Sequence, residues 1–304
     1  MNSNRDNLKG VSFLVLAMLI FSLQNISVKW IGGDYSVLQI VTFRSLVALP
    51  LTLLFFRFEG NRGLPKTRRY GPQYLRGGLL FLSYTTHFMG LAALPLADIE
   101  SIRFSAPLMI TSLSVFLLGE RVSARHWLAL AIGFCGILFV VKPGAPSFNL
   151  GSIFILFSVL CYALNVILTR RLRTTDSSAT MAYYSSLVYL LASLILIPLP
   201  MLVGEMPNLH PSLAFLLRSW TMPTLLDWLI MSGLGLVWAA GMFFMAKAYS
   251  TAQATVVAPF EYASLPINVM WGFVIWREVP TWVTLAGALL TLTSGLYILL
   301  NKNR

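Results

Sequence analysis

The chain has 304 residues, of which 57% are hydrophobic and only 11% charged, and its mean hydropathy is +0.75, far above the near-balance of a soluble globular domain. That composition argues against a cytosolic enzyme, and the apolar residues fall in runs of roughly 20, the length that spans a bilayer core. The formal net charge of +11 would suggest a nucleic-acid partner in a soluble protein, but here it sits between apolar runs and reads as a topology signal instead.

The runs are continuous and Leu-rich, without the ten-residue alternation of an outer-membrane barrel. Helices remain, because lipid offers no partners to an open backbone. The expected fold class is all-α, a polytopic membrane protein with ten spans: Gly10–Ile31, Val37–Phe56, Tyr74–Ala93, Ala97–Leu118, Arg125–Val141, Leu150–Thr169, Ser178–Val203, Leu225–Tyr249, Ala254–Trp276 and Thr281–Leu300. The first follows Arg5 and Lys9, but its apolar stretch is too long for a signal peptide and lacks a small-residue cleavage site, so it reads as a signal anchor. The longest loop, Gly204 to Thr224, contains Pro207, Pro211 and Pro223 and room for a short interfacial helix around Leu213–Trp220.

Sorting cations by loop sets the orientation. With the N-terminus inside, sixteen Lys and Arg fall on the cytoplasmic side, Arg76 among them, against four outside: Lys29, Lys142, Arg218 and Arg277. Both termini are therefore expected in the cytoplasm, in a multi-pass protein of a bacterial inner membrane. Arg44 and Arg103 belong to neither side, since both fall within spans.

Sliding the chain along itself reveals a repeat at an offset of 141, which pairs Gly10 with Gly151, Ser36 with Ser177, and Ser45-Leu46-Val47 with Ser186-Leu187-Val188. Gln24/Asn165 and Lys29/Arg170 fall on the same register. A second match, at a slightly different offset, joins Gly119-Glu120-Arg121-Val122-Ser123 to Arg277-Glu278-Val279-Pro280-Thr281. Residues 1–142 and 150–304 thus form two units of five spans, and an odd number of spans makes the second enter the membrane upside down.

With these motifs the chain resembles the drug/metabolite transporter superfamily in its ten-helix EamA-type branch. The resemblance covers essentially the whole sequence. It rests on the paired five-span repeat, on Gly119-Glu120-Arg121 closing the fourth span, and on Ala258-Pro259-Phe260-Glu261-Tyr262 with Arg277-Glu278-Val279-Pro280 around the ninth. Trp276-Arg277-Glu278 departs from the aromatic-Gly-Glu more usual there. The resemblance implies a carrier of small organic solutes, often an exporter, with spans 5 and 10 outside a central cavity. Substrates of the family range from amino acids to vitamins and nucleotide derivatives.

Ionisable groups within a span cost at least about 2.5–3.5 kcal/mol, so each needs a partner or a wet cavity. Arg44, His87, Glu100 and Arg103 gather in the outward half, with Tyr84 close by in sequence. They read either as a site for a carboxylate or phosphate, with Arg as a forked donor, or as an Arg103–Glu100 pair that locks the fourth span and an Arg44 bonded to helix-end carbonyls. His87 is either a proton-coupling group or a hydrogen-bonded packing histidine. Glu261 lies between Pro259 and Pro266, the broken-helix pattern that lines transporter cavities, and Pro107 is placed to kink the fourth span. Gln24, Asn25, Asn165 and Asn268 put amides into spans as substrate contacts or interhelical glue, and Trp238 and Tyr262 are candidate cavity walls. Lys29 and Arg170 read as snorkelling cations, and Glu120 and Glu278 as caps or gate contacts.

Cys135 and Cys161 lie in apolar runs and read as packing residues; with His87, His126 and His210 scattered, no metal site and no cofactor are expected. Ala129 and Gly133, at small-xxx-small spacing, provide a face for a homodimer through span 5, with span 10 as the other candidate. No phosphate-binding loop is present, and no HExxH or GxSxG motif supports an intramembrane enzyme. The function expected is secondary transport, by alternating access and in the export direction, of an amino-acid-like, zwitterionic or carboxylate-bearing metabolite. The alternatives are an importer or exchanger of a vitamin or nucleotide-type metabolite, and, further off, an intramembrane enzyme or a scaffold.

Overall fold

The computed structural model describes residues 3–32, 34–60, 63–118, 124–141, 149–172, 175–203, 208–251 and 264–283, with 285–287, 289, 290 and 293 beyond them. The elements are helices throughout these residues: α1 (Ser3–Ile31), α2 (Val37–Phe58), α3 (Tyr70–Leu91), α4 (Leu96–Arg103), α5 (Ser105–Leu118), α6 (Ala124–Val141), α7 (Leu150–Leu172), α8 (Ser178–Leu196), α9 (Leu199–Val203), α10 (Pro211–Leu217), α11 (Leu225–Thr251) and α12 (Ser264–Trp276). Among the described residues five segments are long and apolar enough to cross a membrane: Leu8–Ile31, Val37–Phe58, Leu150–Leu172, Ser178–Leu196 and Leu225–Met245. Large apolar side chains such as Leu16, Leu54, Phe139, Phe157 and Leu236 cover the outside of the bundle, as lipid requires and water does not permit.

The departures from the expected spans have local causes. The fourth span is divided at Phe104 into α4 and α5. The seventh parts into α8 and α9 around Pro198, which has no N–H to continue the ladder. The third begins four residues early, at Tyr70, which sets Arg76, counted with the cytoplasmic cations, well inside the helix. Most of the tenth span, and the ninth before Ser264, lie outside the described residues. The interfacial helix is α10, with Pro211 at its start and His210 Nδ1 accepting the Ser212 N–H at 3.3 Å. That is a favoured place for proline, since the first turn has no use for its missing N–H.

Ser36 and Ser177 each occupy the N-cap of the helix that follows. Ser36 accepts the N–H of Gln39 at 3.1 Å, and Ser177 that of Thr180 at 3.2 Å. An N-cap serine satisfies a donor that the first turn leaves orphaned, worth about 1 kcal/mol.

α1 packs along α11, α3 along α7, and α2 lies between α8 and α11; α3 also meets α8, α5 crosses α7, and α12 lies against α4 and α1. Two glycines set how closely these pairs approach. A Cβ added to Gly77 on α3 would stand 2.7 Å from Val188 Cβ on α8, and one on Gly235 of α11 would stand 2.5 Å from Val47 Cβ on α2 and 2.8 Å from the Arg44 carbonyl oxygen. Valine cannot turn aside, because its branched Cβ is stiff in a helix. Gly77→Ala should therefore cost about 1–3 kcal/mol through overpacking, and adding Val188→Gly, which removes the Cβ in contact, should recover most of the lost thermal midpoint. Gly235→Ala should be recovered less by Val47→Gly, because the Arg44 carbonyl is backbone and stays. Thermal unfolding of the four variants in detergent checks the contrast, and equal rescue at both sites would count against it.

The long loop is strapped across the α1–α2 turn. Arg218 Nη1 donates to the carbonyl of Gly32 at 2.6 Å, Gln39 Nε2 to that of Thr221 at 2.6 Å, and Tyr35 Oη to Asp227 Oδ2 at 2.7 Å. The hydrogen bond to Asp227, with burial, lifts the Tyr35 phenol above its ordinary range, so the strap keeps its donor well into alkaline solution.

Candidate functional site

A cavity lies in the middle of the bundle. α1 contributes Met18, Phe21, Ser22, Gln24 and Asn25; α3 contributes Ser83, Tyr84 and His87; α4 contributes Glu100 and Arg103, followed by Phe104 and then Ala106 of α5. The far wall is Ser158, Val159 and Tyr162 of α7, Met245 of α11, and Ser264 and Asn268 of α12. The spacing explains the set, since residues three or four apart share one face of a helix, as do Phe21, Gln24 and Asn25, then Ser83, Tyr84 and His87, then Glu100 and Arg103.

A continuous chain of hydrogen bonds runs around this wall. Arg103 Nη1 donates to Glu100 Oε1 at 3.3 Å, and Ser264 Oγ donates to Glu100 Oε2 at 2.7 Å. Asn268 Nδ2 donates to the Ser264 carbonyl at 3.0 Å, Asn25 Nδ2 to Asn268 Oδ1 at 3.2 Å, and His87 Nε2 lies 3.3 Å from Asn25 Oδ1. The chain fixes its own polarity. A carbonyl can only accept, so Asn268 must point its amide nitrogen at Ser264, its oxygen then faces Asn25, and the Asn25 oxygen in turn faces His87. His87 must therefore carry hydrogen on Nε2. Its Nδ1 is buried and finds no hydrogen-bond partner among the described residues.

Glu100 is only 1% exposed, whereas a third of the Arg103 side chain is open. The pair thus presents a half-open guanidinium backed by a sealed carboxylate. Aromatic rings close the side of the cavity: Tyr84 meets Trp238 edge-on at 4.8 Å between centroids, and Phe21 lies 6.3 Å from both.

Of the residues expected from sequence, Arg103, Glu100, His87, Tyr84 and Gln24 line this one cavity, together with Asn25 and Asn268. Arg44 stands behind them. It is fully buried, donates through Nη1 to Gln24 Oε1 at 3.3 Å, and is boxed by Trp238 at 4.2 Å, Tyr189 at 5.0 Å and Phe88 at 5.6 Å. Its Nε and Nη2 have no hydrogen-bond partner among the described residues, so the helix-end carbonyls expected for it are not what hold it. Trp238 is in contact with both Arg44 and the cavity ring Tyr84. Asn165 does not line the cavity; it donates to the Arg76 carbonyl at 3.0 Å and joins α7 to α3. Glu261, Tyr262 and Pro259 lie outside the described residues, as do the side chains of Pro107 in α5 and Pro266 in α12.

Three groups correct the sequence reading. Arg76, counted with the cytoplasmic cations, is buried in α3 and donates to the Met181 carbonyl and, at 2.7 Å, to Ser185 Oγ of α8. Lys29 does not snorkel: it forms an ion pair with Glu278. Cys161 is buried as expected of a packing residue, but Cys135 is exposed on α6. Ser264 and Tyr162 were not singled out at all, although Ser264 stands four residues before Asn268 on the same helical face. Among the described residues no group of three or more His, Cys, Asp or Glu side chains is placed to hold a metal ion.

The model of the EamA-like transporter family matches residues 8–142 and again 149–300. The S-adenosylmethionine uptake transporter of Rickettsia prowazekii is 26% identical over 297 residues, 98% of this chain and 94% of that protein. The pseudopaline exporter CntI of Pseudomonas aeruginosa is 30% identical over 284 residues, 92% of each, and the riboflavin transporter of Vibrio cholerae is 26% identical over 302 residues, 98% of this chain and 95% of that one. These relatives are named as transporters, not enzymes. A solved crystal structure superposes over the full length of both chains with a TM-score of 0.68 at 16% identity, which shows a shared fold. The chain is a multi-pass helical membrane protein that belongs to the EamA-like transporter family, within the drug/metabolite transporters.

Proposed function

We propose that this protein is a secondary transporter that carries a small carboxylate-bearing or zwitterionic metabolite across a bacterial inner membrane by alternating access, in the export direction. The observation that carries the reading is the central cavity, where Arg103 is half open beside the sealed carboxylate of Glu100. The guanidinium supplies a fork for a solute carboxylate, Glu100 supplies a counter-charge for its amine, and His87, Tyr84 and Gln24 fit the same solute from α1 and α3. Glu261, Arg44, Trp238, Tyr262 and Asn165 complete the proposed set, with Pro107, Pro259 and Pro266 as the points where helices give.

The frame is ten spans in two inverted repeats, residues 1–142 and 150–304, with both termini cytoplasmic. Packing supports it by exchanging partners in pairs: α1 on α11 answers α7 on α3, and α2 on α11 answers α8 on α3. The capping serines Ser36 and Ser177, and the valines Val47 and Val188 that each fill a glycine's place, are all related by the offset of 141. Repeat-related residues thus do the same local work. Pairing of two copies through α6 or the last span belongs to the same proposal.

The second reading, import or exchange of a vitamin or nucleotide-type solute, draws on the aromatic side formed by Phe21, Tyr84 and Trp238. Metabolite profiling of cells and medium separates the two, comparing the wild type with an equally expressed Arg103→Ala variant. A zwitterion enriched outside wild-type cells alone is the expected result. A flat planar solute accumulated inside them would favour the second reading.

A further inference from the structure

One turn beyond the central cavity the same helix faces line a second one. Asn25 on α1 gives way to Lys29, His87 on α3 to Leu91, and Asn268 on α12, two turns on, to Trp276; Phe215 and Arg218 of the long-loop strap close the far side. Near the second cavity the chain just past α12 is joined to α1 and to the start of α4 through the carboxylate of Glu278. Glu278 takes the ammonium of Lys29 on one oxygen and the backbone N–H of Leu96, at the start of α4, on the other at 3.0 Å. Lys29 also lies over the Trp276 ring at 5.0 Å.

The chain turns back on itself to place that carboxylate. Arg277 adopts a left-handed backbone, φ 58°, an uncommon state for a residue with a side chain, and the N–H of Glu278 returns to the Gly272 carbonyl at 3.1 Å. Gly272 is what leaves room, since a Cβ there would come 3.1 Å from Glu278 Oε2. The second cavity itself is lined by two cations, Lys29 and Arg218, with no carboxylate among its described lining residues.

We infer that Glu278 is the removable strut of a gate between the two cavities, and that a carboxylate-bearing solute in the second cavity opens it by taking Lys29 from Glu278. The exchange replaces one carboxylate on Lys29 by another, so the ammonium is never left bare, and the end of α12 loses its ion pair to α1 while Glu278 keeps the Leu96 N–H of α4. This rests on the transporter reading, but it is tested without transport.

The reporter is Ala106→Cys, a central-cavity position, in a chain whose Cys135 and Cys161 are replaced by serine. Right-side-out and inside-out vesicles are treated with a membrane-impermeant thiol reagent, and the labelling rate is read at each face. Glu278→Gln is expected to raise the rate from one face by roughly tenfold or more, the loss of about 1.4 kcal/mol of closure, and the exchange Lys29→Glu with Glu278→Lys to return it towards the parent rate. In the parent, glutarate should accelerate labelling from that face while glutaramide, its uncharged counterpart, does not. Rates that ignore Glu278→Gln at both faces overturn the gate, and equal effects of glutarate and glutaramide overturn the role of the carboxylate. Should Glu278→Gln fail to fold, the swap and the glutarate arm still decide. Absent transport with these labelling changes intact would count against the transporter reading alone.

Discussion

Glu100→Gln is expected to lower flux of the transported solute by about 100-fold in proteoliposomes while leaving the thermal midpoint within a degree or two of the parent. The substitution keeps the shape of the side chain and both of its contacts, because an amide can accept from Arg103 Nη1 and donate to Ser264 Oγ. What disappears is the charge. A charge-assisted hydrogen bond is worth about 1.5–3 kcal/mol, and about 2.7 kcal/mol of lost stabilisation at the barrier corresponds to that fall in rate. Because Glu100 is 1% exposed, its charge cannot be replaced cheaply by water. Flux within twofold of the parent would reduce the Glu100–Arg103 pair to a strut inside α4.

Arg44→Met should separate stability from function more sharply still. Arg44 is a fully buried cation that, among the described residues, donates to Gln24 and has two guanidinium nitrogens without hydrogen-bond partners. Unsatisfied buried donors cost about 1–3 kcal/mol each, which the three surrounding rings offset only in part. A methionine refills the volume without a charge to desolvate, so the thermal midpoint should rise by about 2 °C or more. On the proposed function flux should be lost, because the guanidinium one layer behind Gln24 would no longer lend its positive charge to an anionic solute. Arg44→Lys should lose flux as well, since an ammonium cannot lie flat against Trp238. A midpoint that drops several degrees in Arg44→Met would show instead that the guanidinium holds α2 to α8 and α11.

What was legible in the sequence was what short-range pattern encodes. Apolar runs gave most of the helices, and the serines before Val37 and Ser178 are N-cap signals that need no tertiary information. The grouping of Glu100 and Arg103 followed from helical spacing alone. Arg76 was counted with the cytoplasmic cations because it lay two residues inside the expected third span, whereas α3 starts at Tyr70, since proline and glycine in a first turn are compatible with a helix, and carries Arg76 against α8. The Lys29–Glu278 pair joins positions 249 residues apart, and no local periodicity announces such a contact. Arg44 was grouped with Arg103 by depth, but depth says nothing about which way a helix faces, and α2 turns it towards α8 and α11. The amide chain from Asn268 to His87 depends on three helices meeting at one level, which is a property of the packing.

The valine–glycine contacts bear on how the bundle can move. Val47 seats on Gly235 and Val188 on Gly77, and in each case a side chain with a single torsion meets one with none. Such a joint has no rotamers to absorb displacement, unlike a contact between leucines or methionines, which can slip and re-form. It behaves as a bearing: α2 can roll on α11, and α8 on α3, but neither pair can slide without climbing over a methyl group. At these two joints, each of which sets a helix of one half on a helix of the other, the packing favours pivoting of whole helix pairs over sliding.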